Sequence, residues 1–115
     1  MAAPERGDVV LVLYSSSDLR TAKVRPALVV QADSLYTGIP QVIVAMVTSR
    51  MARAGHPSRV SVLRDSAEGR QSGLLTDSVV MTDNLTTVLD VAIHRIIGSL
   101  HMESVDQALR HTLGL

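Results

Sequence analysis

Two short stretches of the chain carry residue types suited to phosphate chemistry. In Lys23-Val24-Arg25-Pro26 a polar segment runs into an apolar one. Arg25 precedes a proline, which biases its backbone towards an extended conformation and lets a stiff strand start aim the guanidinium. In Thr48-Ser49-Arg50, hydroxyls that can donate to a phosphate oxygen stand beside an arginine, and Arg53 follows. Without context these are a solvated arginine at a strand end and a Thr-Ser turn that satisfies its own backbone. Residue type alone leaves both readings open. Other enzymatic signatures are absent. No glycine-rich phosphate loop follows a strand and there is no G-x-S-x-G elbow; His56, His94, His101 and His111 lack zinc spacing on one helix face. No metal and no cofactor is expected.

Charge supports a polyanionic partner only through its distribution. The formal net charge is zero, yet residues 20 to 70 hold Arg20, Lys23, Arg25, Arg50, Arg53, Arg59, Arg64 and Arg70 against Asp33, Asp65 and Glu68. The remainder of the chain is acidic to the same degree. All the basic residues but Lys23 are arginine, the side chain suited to bidentate phosphate recognition. The alternative is a set of solvated loops on a neutral protein. The chain has no cysteine, which excludes disulfides, thiolate metal sites and a cysteine nucleophile. The first apolar run, Val9–Tyr14, is too short for a signal or membrane segment. A cytoplasmic protein with no membrane partner is expected.

The elements that must position these residues follow from apolar runs and punctuation. A length of 115 residues gives room for a single domain spanning residues 1–115. Strands are predicted at Val9–Tyr14, Pro26–Gln31 (with proline at its first position), Gln41–Val47, Arg59–Leu63 and Leu74–Met81, with Asn84–Val91 continuing the sheet after a turn at Asp83-Asn84. Ile93–Leu100 fits helix or strand. Met102–Leu113 reads as an amphipathic helix stopped by Gly114. Valine-rich short strands and one terminal helix predict a mainly β protein, a small closed or nearly closed β-barrel with a C-terminal α-helix.

Several pieces together resemble the MazF/PemK toxin family. They are Gly7-Asp8-Val9-Val10, Arg25-Pro26-Ala27-Leu28-Val29-Val30, Val47-Thr48-Ser49, Asp83-Asn84-Leu85 and Ile97-Gly98-Ser99-Leu100. Each piece is weak alone; their order and spacing span nearly the whole chain. The resemblance implies an SH3-like barrel of the plasmid maintenance toxin type that forms a homodimer. It implies metal-independent cleavage of single-stranded RNA by attack of the 2′-hydroxyl, giving a 2′,3′-cyclic phosphate, with Arg25 and Thr48 as the catalytic pair. Its further implied partner is a cognate antitoxin, with no direct contact to DNA. Lys23, Ser49, Arg50 and Arg53 are the candidate RNA-binding residues, and Asp77 and Ser78 the candidates for base selection. Many relatives carry a glutamate in a G-x-E-Q-x-G loop before the arginine. This chain has Ser16-Ser17-Asp18-Leu19-Arg20 there, leaving Asp18 as the candidate general base. Two other readings share the fold: a non-catalytic module that binds RNA or antitoxin, and a CcdB-like gyrase-binding inhibitor. The second relies on a C-terminal tryptophan, and this chain has none.

Overall fold

The computed structural model describes residues 3–15 and 22–115. Six strands form one antiparallel sheet: β1 (Asp8–Ser15), β2 (Ala22–Val29), β3 (Gln41–Thr48), β4 (Arg59–Val62), β5 (Ser78–Leu89) and β6 (Ile93–Ser99), in the order β4-β5-β3-β2-β1-β6. A short helix α1 (Ala67–Ser72) lies between β4 and β5, and α2 (Glu103–Leu113) closes the chain. Single 3-10 turns occupy Met51–Arg53 and Asp90–Ala92.

The central strands are buried on both faces, which is why they read as nearly continuous apolar runs. Alternate side chains of a strand point to opposite faces. Thus Val10, Val12, Ala27, Val29 and Val44 enter one core, while Val9, Leu28, Ala45 and Val80 enter another. The second core is covered by α2, whose Val105 and Ala108 are buried on the chain's own sheet. Helix α2 is tied down at both ends. Arg6 pairs with Asp106 at 2.6 Å, and the Thr82 and Thr112 hydroxyls meet at 2.7 Å while Thr82 donates to the Ser58 carbonyl.

Two expectations are corrected and one left open is resolved. Pro26 does not begin its strand: β2 starts at Ala22, and Pro26 sits inside it opposite Leu11. The β2–β3 ladder begins only at Ala27, so the missing N–H breaks no bond to β3. The turn expected at Asp83-Asn84 is a bulge within one long β5. Met81 stands opposite Met46 and Leu85 opposite Ala45, so Thr82, Asp83 and Asn84 have no counterpart in β3. Ile93–Ser99 is a strand.

The barrel is not closed by hydrogen bonds, since among the described residues β4 and β6 do not pair. Helix α1 leans across instead, and glycines allow its backbone to approach β6. A Cβ on Gly98 would lie 2.4 Å from the carbonyl oxygens of Gln71 and Ser72, and one on Gly73 would lie 2.0 Å from the Ile97 carbonyl oxygen. Gly73 also ends α1 in the left-handed conformation, at φ 73°. Ser66 caps the other end by accepting from the Gly69 N–H at 2.9 Å. No run of apolar residues marks this helix; its Ser66 and Gly73 boundary residues are its only sequence signal. The Gly98→Ala variant is expected to lose about 1–3 kcal/mol in chemical denaturation, because the obstructing atoms are backbone and cannot rotate away. A loss below about 0.5 kcal/mol would mean that α1 does not rest on β6 in solution.

Candidate active site

A cleft opens where β2 and β3 part. Their ladder holds Val29 opposite Val44, Leu28 opposite Ala45 and Ala27 opposite Met46, and goes no further towards Arg25. Continued by two residues, the same register sets Arg25 opposite Thr48 with both on one face of the sheet. Pro26 stands at the point where pairing ceases. The opening has a volume of about 570 Å³. Leu11, Pro26, Val47, Leu74 and Ile97 supply apolar lining, and Arg25, Thr48, Ser49, Arg50, Thr76 and Arg95 supply polar lining. Three arginines therefore border the cleft, and no aspartate or glutamate lies among its described lining residues. Such a site suits an anion.

Thr48 is half-buried, and its Oγ1 accepts a hydrogen bond from the Arg50 N–H at 3.2 Å. The self-satisfied Thr-Ser turn is thus partly real. It uses a lone pair of the hydroxyl and leaves the O–H free to donate. Arg25 is exposed on β2, opposite Val12 of β1. Lys23 lies two residues earlier on the same face of the strand, exposed and outside the lining.

Not every expected residue joins the cleft. Arg53 turns away from it: its Nη1 lies 3.9 Å from the Met81 sulfur, and its carbonyl accepts from Arg59 at 3.2 Å. The Asp77 carboxylate accepts from the Arg64 N–H at 2.8 Å and so pins the segment after β4. Ser78 borders the cleft but is buried, and its hydroxyl donates to the Thr76 carbonyl at 2.9 Å. Both groups candidate for base selection are thus committed to backbone partners. Asp18 lies outside the described residues. Arg95 was hidden from sequence reasoning, because it falls in the acidic remainder of the chain and reaches the cleft only through β6 pairing with β1. Nothing local in the sequence signals it.

A family model described as the PemK-like, MazF-like toxin of type II toxin-antitoxin systems matches residues 5–113. The chain belongs to that family. Solved structures agree with the fold. An endoribonuclease in complex with its cognate antitoxin, from Mycobacterial species, superposes with a TM-score of 0.75 at 23% identity, covering 98% of this chain and 97% of that one. An endoribonuclease from Mycobacterial species gives 0.72 at 25% identity, over 100% and 95% of the two chains. A MazE–MazF complex from Deinococcus radiodurans gives 0.72 at 20% identity, over 100% and 99%.

In this member of the PemK-like, MazF-like family, Asp83 serves the scaffold. Its carboxylate receives the Arg59 guanidinium at 2.7 and 3.3 Å, and Arg59 is not among the cations lining the cleft. Hydrogen bonding from Arg59 holds the Asp83 carboxyl below the usual carboxylate range, against a smaller opposing effect of burial. A group with a depressed folded pKa stabilises above its unfolded pKa, and that stabilisation is lost as pH falls through the folded value. The Asp83→Asn variant should therefore melt slightly below wild type at neutral pH, the deficit being small because both side chains are partly solvated. The two melting curves should converge below the usual carboxylate range. A deficit undiminished at about pH 2 would show that the effect is not the ion pair.

Proposed function

We propose that this chain is a metal-independent endoribonuclease toxin, acting on single-stranded RNA as a homodimer and neutralised by a cognate antitoxin. The observation that carries the proposal is the facing pair, Arg25 and Thr48, at the open end of the β2–β3 ladder in a cleft lined by three arginines. Family membership supports it, as does the fold shared with structures named as endoribonucleases.

The RNA supplies its own nucleophile. Its 2′-oxygen attacks the adjacent phosphorus, the bond to the 5′-oxygen of the next nucleotide breaks, and a 2′,3′-cyclic phosphate forms beside a 5′-hydroxyl. The protein must hold the attacking 2′-oxygen, the phosphorus and the leaving 5′-oxygen in line and answer the charge that develops on the phosphate. Thr48, its acceptor side engaged by the Arg50 N–H, directs its O–H at a non-bridging oxygen. Arg25 neutralises the growing charge. A guanidinium is too weak an acid to be the main proton donor, so charge stabilisation is its role and the leaving 5′-oxygen takes its proton from water. No described residue lining the cleft is a carboxylate, and Asp18 is our candidate for the base that takes the 2′-hydroxyl proton. Lys23, Ser49 and Arg50 position flanking phosphates.

The antitoxin would lay a disordered acidic segment over the same arginines and compete with RNA for them. Because α2 buries Val105 and Ala108 on its own sheet, the homodimer contact must use other surfaces.

The test is incubation of the purified protein with a long single-stranded RNA in excess EDTA, beside Arg25→Ala and Thr48→Val. Wild type should release discrete fragments with 5′-hydroxyl ends, at the same rate with or without chelator. Arg25→Ala should be slower by on the order of 10²–10³, with Thr48→Val slowed in the same sense. Cleavage within a fewfold of wild type by Arg25→Ala overturns the assignment. Intact RNA with folded, antitoxin-free wild type would favour a non-catalytic binding module.

A further inference from the structure

We infer that Arg95 holds a phosphate neighbouring the one gripped by Arg25 and Thr48, so that the cleft takes two phosphates of one strand on separate arginines. The inference rests on the reading of the cleft as an RNA site.

The register separates the two arginines. Arg95 of β6 stands opposite Leu11 of β1, and Leu11 stands opposite Pro26 of β2. Arg25 is one residue further along β2, opposite Val12. Arg95 and Arg25 therefore sit in adjacent rows whose side chains leave opposite faces, on strands separated by β1, at about 9.5 Å or two strand spacings. Guanidiniums placed in this way do not converge on one phosphate. They can follow a backbone that crosses the mouth of the cleft, Arg95 at the end of the Leu11–Pro26 row and Arg25 in the row beside it.

The immediate surroundings of Arg95 fit that role. It is exposed, and among the described residues its guanidinium has no ion pair and no side-chain hydrogen bond. Arg6 and Arg59, by contrast, are paired with Asp106 and Asp83. Its neighbours Ile96 and Ile97 line the cleft beside it, so a strand held by Arg95 runs along an apolar wall. A charge on an edge strand can also serve only to deter strand-to-strand association, and such a charge would leave RNA binding unchanged.

The two roles separate in a salt series. A single-stranded RNA oligonucleotide with every 2′-hydroxyl methylated binds but cannot be cleaved, and anisotropy reports its affinity. Arg95→Ala should weaken binding about tenfold at low salt and flatten the plot of log affinity against log salt by about 0.7, the value of one phosphate contact on a single strand. Arg95→Lys should keep the wild-type slope, and Arg110→Ala, an exposed arginine of α2 outside the cleft, should change neither quantity. On cleavable RNA, Arg95→Ala should raise KM and leave kcat within about twofold. An unchanged slope overturns the inference, and so does a fall in kcat at constant KM, which would put Arg95 on the scissile phosphate. If wild type binds the methylated strand with Arg95-dependent salt sensitivity but cleaves nothing, the two-phosphate grip stands and the endoribonuclease reading falls. If wild type cleaves and Arg95→Ala keeps the wild-type slope, only the grip falls. Wild type that binds no RNA overturns both.

Discussion

The ladder between β2 and β3 reaches no nearer to Arg25 than Ala27–Met46, and the point where it stops determines where the site can be. A fully paired β2 and β3 would bring Arg25 and Thr48 to the spacing of adjacent strands, leaving no room for a phosphate between them. With the pairing ended next to Pro26, the two residues keep the alignment of a ladder without its closeness. Proline suits the position, since it fixes its own φ and offers no N–H with which the ladder might extend. The valine-rich cores on both faces hold the paired part of the strands rigid, so the unpaired ends project from a stiff frame.

A second constraint acts from the far side of the cleft. Gly73 and Gly98 let α1 approach the backbone of β6 more closely than any side chain would permit. The chain that leaves Gly73 then runs directly into Leu74, Leu75 and Thr76, which border the cleft. The position of that wall is therefore tied to the seating of a six-residue helix. Where a hydrogen-bonded barrel would close with another strand pair, this protein closes with a helix and obtains a cleft wall from the same segment.

Arg25 and Thr48 were legible in the sequence because their neighbours carry a pattern: Arg-Pro before an apolar run, Thr-Ser after one. The central strands were legible for a similar reason, as burial on both faces demands continuous apolar residues. Other features depend on pairings that no local pattern encodes. Arg95 enters the site through β6 lying against β1, and its neighbourhood in sequence gives the wrong sign of charge. Asp77 and Ser78 looked available and are held by the Arg64 N–H and the Thr76 carbonyl. Arg53 is drawn to Met81, and Pro26 passed for a strand start because a two-partner strand would not tolerate it. The bulge in β5 resembles a turn because both need residues freed from pairing, and only the continuation of the ladder beyond it distinguishes them.

The sorting of ion pairs shapes how the molecule behaves before contact. Acidic groups neutralise arginines on the scaffold, as in Arg6–Asp106 and Arg59–Asp83, while no carboxylate is found among the described residues lining the cleft. The whole is close to neutral, with a pI near 6.9. At a distance beyond roughly 8–10 Å in physiological salt, a polyanion meets almost no net attraction. For the RNA-cleaving toxin proposed above, capture therefore begins only when a strand already lies near the mouth of the cleft. A protein of this kind gives up the fast, steered encounter available to strongly basic binders. In exchange such a toxin escapes the non-specific, charge-driven retention that strongly basic proteins suffer on every phosphate backbone they meet.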